Sequence, residues 1–365
     1  MDRPYITVPF LSCLLCTFAQ AHVITGDSTQ IDVSDGISNK LYINNYAGDS
    51  AISIPTEYKQ VYVLGSAEIA PFSDTGRSLY VESNSSIVVN GDVSAKIVQS
   101  QEGISNSTID ITGNVAVNSM FSLASPTNTA RIGGTLTING LTAYVENDSD
   151  VYAGGVLVSK ALTGFKIAGN IYTNSFTTKA ATTTLQAGSL LSHLDPAAEG
   201  SLLINSGSTV NCYGTVELDT ELQGGTFSLN EAALVSALTL QSGTVKVQGD
   251  AQTGALTLNG GSLIFSAGAT LNLNGAALFC DDSVDITVNV DDIDNLTDSI
   301  ILFDHIAADS ILPDSLTVTL ADKTASKQLE VSIQNDAVII PIPEPTTATL
   351  SLLALAALAA RRRRR

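Results

Sequence analysis

Glu217, Asp219 and Glu221 alternate along one short stretch of this chain. At two-residue spacing in a strand they share one face, and carboxylates on one face are what acid–base cleavage of a glycosidic bond needs, one as acid and one as base or nucleophile. Between Gly200 and Phe279 the only other charged residues are Glu231, Lys246 and Asp250. The row is thus the one catalytic candidate, and the plainer reading is acidic residues facing water from a strand. A second acidic stretch has Asp281, Asp282 and Asp285, then Asp291, Asp292, Asp294 and Asp298. Hard oxygen ligands at that density suit Ca²⁺, with Asp291, Asp292 and Asp294 as the candidates, but the spacing and glycine of an EF-hand loop are missing. Solvated acidic loops are the expectation, and no metal is expected.

The three histidines do not strengthen either candidate. His22 opens the chain after a leader, His193 lies by Asp195-Pro196, and His305 stands beside Asp304. A zinc site needs three or four convergent ligands, and neither His193 nor His305 has a second His or Cys nearby. Neither a Ser/His/Asp order, a phosphate-binding Gly-Lys-Ser/Thr loop nor a nucleophile elbow is present. No cofactor is expected, and the chain reads as a non-enzyme. Sugar platforms use aromatic faces; there is no Trp, and Tyr42, Tyr46, Tyr58, Tyr62 and Tyr80 cluster near the N-terminus. Tyr62 between Val61 and Val63 points away from the core, so this cluster is either a glycan platform or cap packing.

The elements that would carry these residues come from a repeat. Leu202-Leu203-Ile204-Asn205-Ser206-Gly207-Ser208, Thr220-Glu221-Leu222-Gln223-Gly224-Gly225-Thr226, Leu238-Thr239-Leu240-Gln241-Ser242-Gly243-Thr244 and Leu256-Thr257-Leu258-Asn259-Gly260-Gly261-Ser262 recur in one fixed register across 202–265. The period is about 18 residues, and a period of that order is read as one structural unit per repeat. Each segment from the second on is followed by an alternating apolar pair, Phe227/Leu229, Val245/Val247 or Leu263/Phe265. Short strands and Gly turns at such a period mark a β-solenoid, in which a coil buries its apolar face only by stacking on the next. Asn205, Gln223, Gln241 and Asn259 then form a column whose amides either bond up the stack or face water as turn residues. Gly207, Gly225, Gly243 and Gly261 occupy the following turn, where positive φ is needed. Upstream, Ile87-Val88-Val89, Ile109-Asp110-Ile111, Leu136-Thr137-Ile138 and Lys166-Ile167 continue the pattern with looser and longer spacing.

The fold class expected is all-β, a parallel β-helix (β-solenoid), right-handed because the hexapeptide pattern of left-handed helices is absent. Residues 81–280 are the solenoid, 22–80 an N-terminal β cap and 281–342 a C-terminal β cap, since open coil ends invite edge pairing. Between Cys212 and Cys280 lie about four coils, or roughly 19 Å along the stack. That exceeds the roughly 7 Å a disulfide spans. Buried free thiols are expected.

Both termini carry addresses. Residues 1–21 read as a secretory signal peptide, with Arg3, an apolar run and Ala19-Gln20-Ala21 ahead of cleavage before His22. Thr346 to Ala360 is uncharged and ends in Arg361, Arg362, Arg363, Arg364 and Arg365. As a helix this segment covers roughly 22 Å, short of a bilayer core of about 30 Å, and arginines that snorkel at one end keep that end in the cytoplasm. Pro343, Glu344 and Pro345 precede it; the prolines hold the segment extended and open to a processing enzyme. His22 to Pro345 holds 35 acidic against 11 basic residues, a net charge of −24. Binding to nucleic acid through a basic face is thereby excluded.

Pro343-Glu344-Pro345, the apolar segment and the arginine tail together resemble the PEP-CTERM sorting signal over 343–365. The resemblance implies export across the inner membrane, transient anchoring by the C-terminal helix and processing by an exosortase of a Gram-negative bacterium that makes exopolysaccharide. The secretion machinery and exosortase are the implied partners, with exopolysaccharide or surface proteins beyond them, at the cell surface or in the extracellular matrix. The repetitive body resembles an autotransporter passenger, without the terminal barrel such proteins carry. The function expected is a surface or matrix structural and adhesive protein. The alternative is a polysaccharide lyase or glycoside hydrolase on a parallel β-helix, using Glu217, Asp219 and Glu221.

Overall fold

The computed structural model describes residues 22–26, 39–46, 50–100, 106–160, 164–293, 296, 299–313, 316–322 and 325–342. The leader 1–21, with Ala19 and Ala21, and the motif 343–365 lie outside the described residues. The chain is an all-β parallel β-solenoid with no α-helix among the described residues. It divides into two compact units, Met1–Leu202 and Leu203–Arg365.

In the first unit, three ladders of parallel strands account for the coils. One runs Val61↔Leu79↔Val98↔Phe121↔Ala143↔Phe165↔Thr183. A second runs Ala67↔Ile87↔Ile109↔Ala130↔Val151↔Ile171↔Leu191. The third runs Val93↔Val115↔Leu136↔Val156↔Phe176. Each of these side chains is buried. A parallel pair needs a long connection between its strands, and here the other two strands of the coil supply it. Alternation along each strand sends every second residue inward, and burying one Val or Leu is worth roughly 1.5–3 kcal/mol. No coil could gather that alone, since its inward face is covered by the coils stacked against it.

The coil length is narrower than the sequence spacing implied. Val61 pairs with Leu79, and Val98 with Phe121, both shorter steps than the one from Ile109 to Leu136. Those two residues, read as successive copies of one motif, belong to different ladders: Ile109 stacks under Ala130 and Leu136 on Val115. Parallel pairing already includes His22–Gly26, Lys40–Tyr46 and Gln60–Leu64, so Tyr80 marks no change in strand pairing.

A recurring turn introduces the second ladder. Asn84, Asn106, Thr127, Asp148 and Gly188 all have positive φ, and each is followed by a buried Ser or Asn: Ser85, Ser107, Asn128, Ser149 and Ser189. Ser149 N–H donates to Glu146 O (3.2 Å) and Ser189 N–H to Gln186 O (3.0 Å), closing tight turns. Asn, Asp and Gly tolerate this conformation. The buried polar groups bond along the stack: Ser107 N–H donates to Asn128 Oδ1 (3.0 Å), and Asn128 N–H to Ser149 Oγ (3.2 Å). Asn128 Nδ2 donates to Ser100 Oγ and Ser125 O, both at 2.8 Å.

In the second unit the period read from the sequence is realised as stacking. Thr220↔Leu238↔Leu256 and Phe227↔Val245↔Leu263 each advance by one repeat per coil. Gly207, Gly243 and Gly261 take positive φ, but in the coil between, Gly224 at 107° does so rather than Gly225. The strand Thr215–Leu229 bulges around Gln223, which stands opposite Ser242. Gly225 is instead packed so closely that a Cβ there would lie 2.7 Å from Asn205 O. Beyond Cys280 parallel stacking continues with longer coils: Ile286 lies on Leu263, and Val318 on Ile286. Antiparallel pairing then closes the sheet, Thr317–Ala321 with Ser326–Glu330, and Ala337–Ile340 between Ile300–Asp304 and Ser332–Gln334.

Candidate functional site

Glu217, Asp219 and Glu221 all lie on the strand Thr215–Leu229, whose inward residues Val216, Leu218, Thr220 and Leu222 are buried. The ladder is irregular between Val216 and Asp219, which puts Glu217 at a corner and the other two on the next side. Asp219 stands opposite Ala237 and Glu221 opposite Thr239, so the next coil contributes no acid or base to the row. Glu221 Oε1 accepts a hydrogen bond from Gln223 Nε2 at 2.7 Å. A groove of about 320 Å³ borders Glu217 together with Gln252, Thr253 and Asn274, and neither Asp219 nor Glu221 lines it. The carboxylates therefore sit side by side along one strand instead of facing each other across a cleft. In glycoside hydrolases the pair flanks the scissile bond.

Asp291 and Asp292 border a second groove, of about 630 Å³, walled by Val288, Val290, Ile300 and Ile301. Asp294 and Asp298 lie outside the described residues. Among the described residues no three of His, Cys, Asp and Glu converge as a metal would need. Asp281, in the same acidic stretch, serves a turn: its Oδ1 accepts from Ser283 N–H at 2.9 Å. That bond, together with one from the Ser283 side chain, holds its carboxyl below the usual range. His305 Nδ1 is 3.0 Å from Asp304 Oδ2 and 3.3 Å from Asn272 Nδ2, at an exposed corner.

Cys212 and Cys280 are both free and both buried. Burial pushes the Cys212 thiol up to about 12, partly offset by its hydrogen bond to Gly214 O. Burial, then the adjacent Asp281 charge, pushes Cys280 up to about 11. A nucleophilic cysteine needs a lowered value, so neither is one.

The tyrosine cluster splits in two. Tyr42, Tyr62 and Tyr80 share one outward row, with successive ring centroids 4.8 Å apart and interplanar angles of 12° and 16°. This stacking covers both faces of Tyr62, so that ring offers no open face for a sugar ring. Burial first, then the neighbouring tyrosines and the Glu82 charge, raise the Tyr62 hydroxyl above its ordinary value. Tyr46 and Tyr58 instead pack into the structure: Tyr46 Oη donates to Ser50 O at 2.7 Å, and Tyr58 is fully buried. Arg77, also buried, fixes that segment by donating from Nε to Tyr58 O and from Nη2 to Pro55 O, both at 3.0 Å.

One outward row escaped the sequence reading. Asp110, Arg131, Tyr152 and Tyr172 follow one another on the second ladder. The Tyr152 and Tyr172 rings stack at 4.8 Å, and the Arg131 guanidinium lies 6.0 Å from the Tyr152 ring centroid. Asn170 Nδ2 donates to Asp150 Oδ1 at 2.9 Å beside them. The signal was there: each of the four is the middle residue of a triplet with small or apolar flanks, as in Ile109-Asp110-Ile111 and Ala130-Arg131-Ile132.

The C-terminus matches the PEP-CTERM protein-sorting motif over residues 341–365. That motif marks an exported protein that passes through the membrane and is processed by an exosortase. No curated protein and no solved structure matches the chain.

Proposed function

We propose that the processed chain is a structural or adhesive component of the cell surface or extracellular matrix, associated with exopolysaccharide, and not an enzyme. One observation carries this reading: the sorting motif at 341–365 is joined to a stack of coils. Stacked coils present extended outward rows of side chains, and a row repeating at about 4.8 Å is suited to contacts distributed along a polymer. The Asp110–Arg131–Tyr152–Tyr172 row supplies charged, aromatic and hydroxyl groups in that order.

The second reading is a polysaccharide lyase or hydrolase, favoured by the groove beside Glu217. Reducing-end or unsaturated-end release by the purified processed protein, against a broad polysaccharide panel that includes the producing cell's own matrix, separates the two. No release, together with co-sedimentation of the protein with that matrix, is the expected outcome. Release that disappears in Glu217→Gln or Asp219→Asn establishes the enzyme instead.

A further inference from the structure

The last strand before the sorting motif is a structural strand of the fold. Ala337–Ile340 pairs antiparallel on both sides, with Ile300–Asp304 and with Ser332–Gln334. Val338 and Ile340 are fully buried, and Ala337 nearly so. Pro343 stands three positions after Ile340. At most about 3.6 Å per residue, Pro341 and Ile342 cannot carry Pro343 beyond roughly 11 Å from the end of the ladder.

Enzymes that cut a peptide chain take it in extended form, often as an added strand. An active site covering four residues ahead of the motif would take in Ile339 and Ile340, which the ladder holds against Ile301 and Ile300. Pro341 lacks a backbone donor and has a fixed φ, so the two residues between the ladder and Pro343 add little slack.

We propose that Ala337–Ile340 is a latch: exosortase processing requires this strand to leave the sheet, so the rate of cleavage is set by how often it opens. This rests on the exosortase reading. Strand opening of this kind is local unfolding, which occurs without loss of the whole fold. The residues that set the rate are then Val338 and Ile340, which lie outside the Pro-Glu-Pro tripeptide and everything after it.

The test uses the full chain with membranes that contain the exosortase, and follows the processed form by intact mass. Ile301 and Ile339 are direct cross-strand partners, within the Cα separation a disulfide bridges, so I301C/I339C locks the strand under oxidising conditions. The locked chain is expected to be processed at least about tenfold more slowly, with the wild-type rate restored by reductant. A flexible Gly-Ser linker of roughly six residues, inserted between Ile342 and Pro343, is expected to restore it without reductant. A locked chain cleaved at the wild-type rate overturns the proposal. Slowing that persists after reduction or with the linker also overturns it, because the held strand is then not the cause. Absence of processing in the wild type and in the linker variant alike removes the exosortase reading itself.

Discussion

The two units solve one problem, the tight corner between stacked strands, with different chemistry. In Met1–Leu202 the corner before the second ladder is filled by buried polar side chains, with Asn128 at the centre of bonds to Ser100, Ser107, Ser125 and Ser149. In Leu203–Arg365 the same kind of turn is lined with alanine instead: Ala232 and Gly268 take positive φ ahead of buried Ala233 and Ala269, whose N–H groups donate to Asn230 O (3.0 Å) and Ser266 O (3.1 Å). The polar corner occurs in coils of unequal length, such as Val61 to Leu79 and Val98 to Phe121. In the second unit the period stays constant from Thr220 to Leu238 to Leu256, and at the turn that follows this ladder backbone sits on backbone: a Cβ on Gly243 would lie 2.4 Å from Gly225 O, and one on Gly261 2.8 Å from Gly243 O. Coils of equal and of unequal length thus both stack in register, so a regular sequence is not required for regular stacking.

The sharpest way to break this contrast is Gly243→Val. A β-branched residue at φ 97°, facing a carbonyl at 2.4 Å, is expected to cost about 3 kcal/mol or more, read as a fall in the urea midpoint of the second unit. Asn128→Ala tests the filled corner: it strands the buried Ser107 N–H and frees two acceptors, for a loss of about 2 kcal/mol in the first unit.

A third measurement uses the buried thiols of the second unit. The folded-state value of Cys212 is raised to about 12, against about 8.5 for an unfolded chain, so its contribution is complete below the unfolded value and is lost as pH rises toward 12. The urea midpoint of the wild type should fall across that window more steeply than that of Cys212→Ala. Equal slopes would show that the thiol is not held in its neutral form. The smallest effect is expected at Gln241→Ala, within about 0.5 kcal/mol, because this amide lies on the water-facing side.

That last expectation reverses part of what the sequence implied. The inward alternation of Leu238/Leu240 and Leu256/Leu258 was legible, since alternating burial and a fixed repeat admit few other arrangements. The amide column was not: Asn259 Nδ2 does reach Gln241 Oε1 at 3.3 Å, but Gln223 turns to Glu221, and Gln223, Gln241 and Asn259 are exposed. The bulge that moves Gln223 out of register depends on which of two adjacent glycines adopts positive φ, and composition does not distinguish Gly224 from Gly225. In the first unit the triplets were legible but their assignment to ladders was not. The missing cue was the turn residue with positive φ ahead of a small buried residue, as at Asn106-Ser107 and Thr127-Asn128. Of the candidate sites, the sorting motif was legible because it is a contiguous string. The Arg131 row was missed because each of its members is a whole coil away from the next.

The fixed period of the second unit has a hereditary consequence. Thr220, Leu238 and Leu256 succeed one another on one ladder, so deleting Leu238–Ala255 would bring Leu256 directly onto Thr220 with every inward residue still facing inward. Loss or duplication of one whole coil is thus a change of length alone, whereas loss of a single codon would turn the strand's inward residues outward.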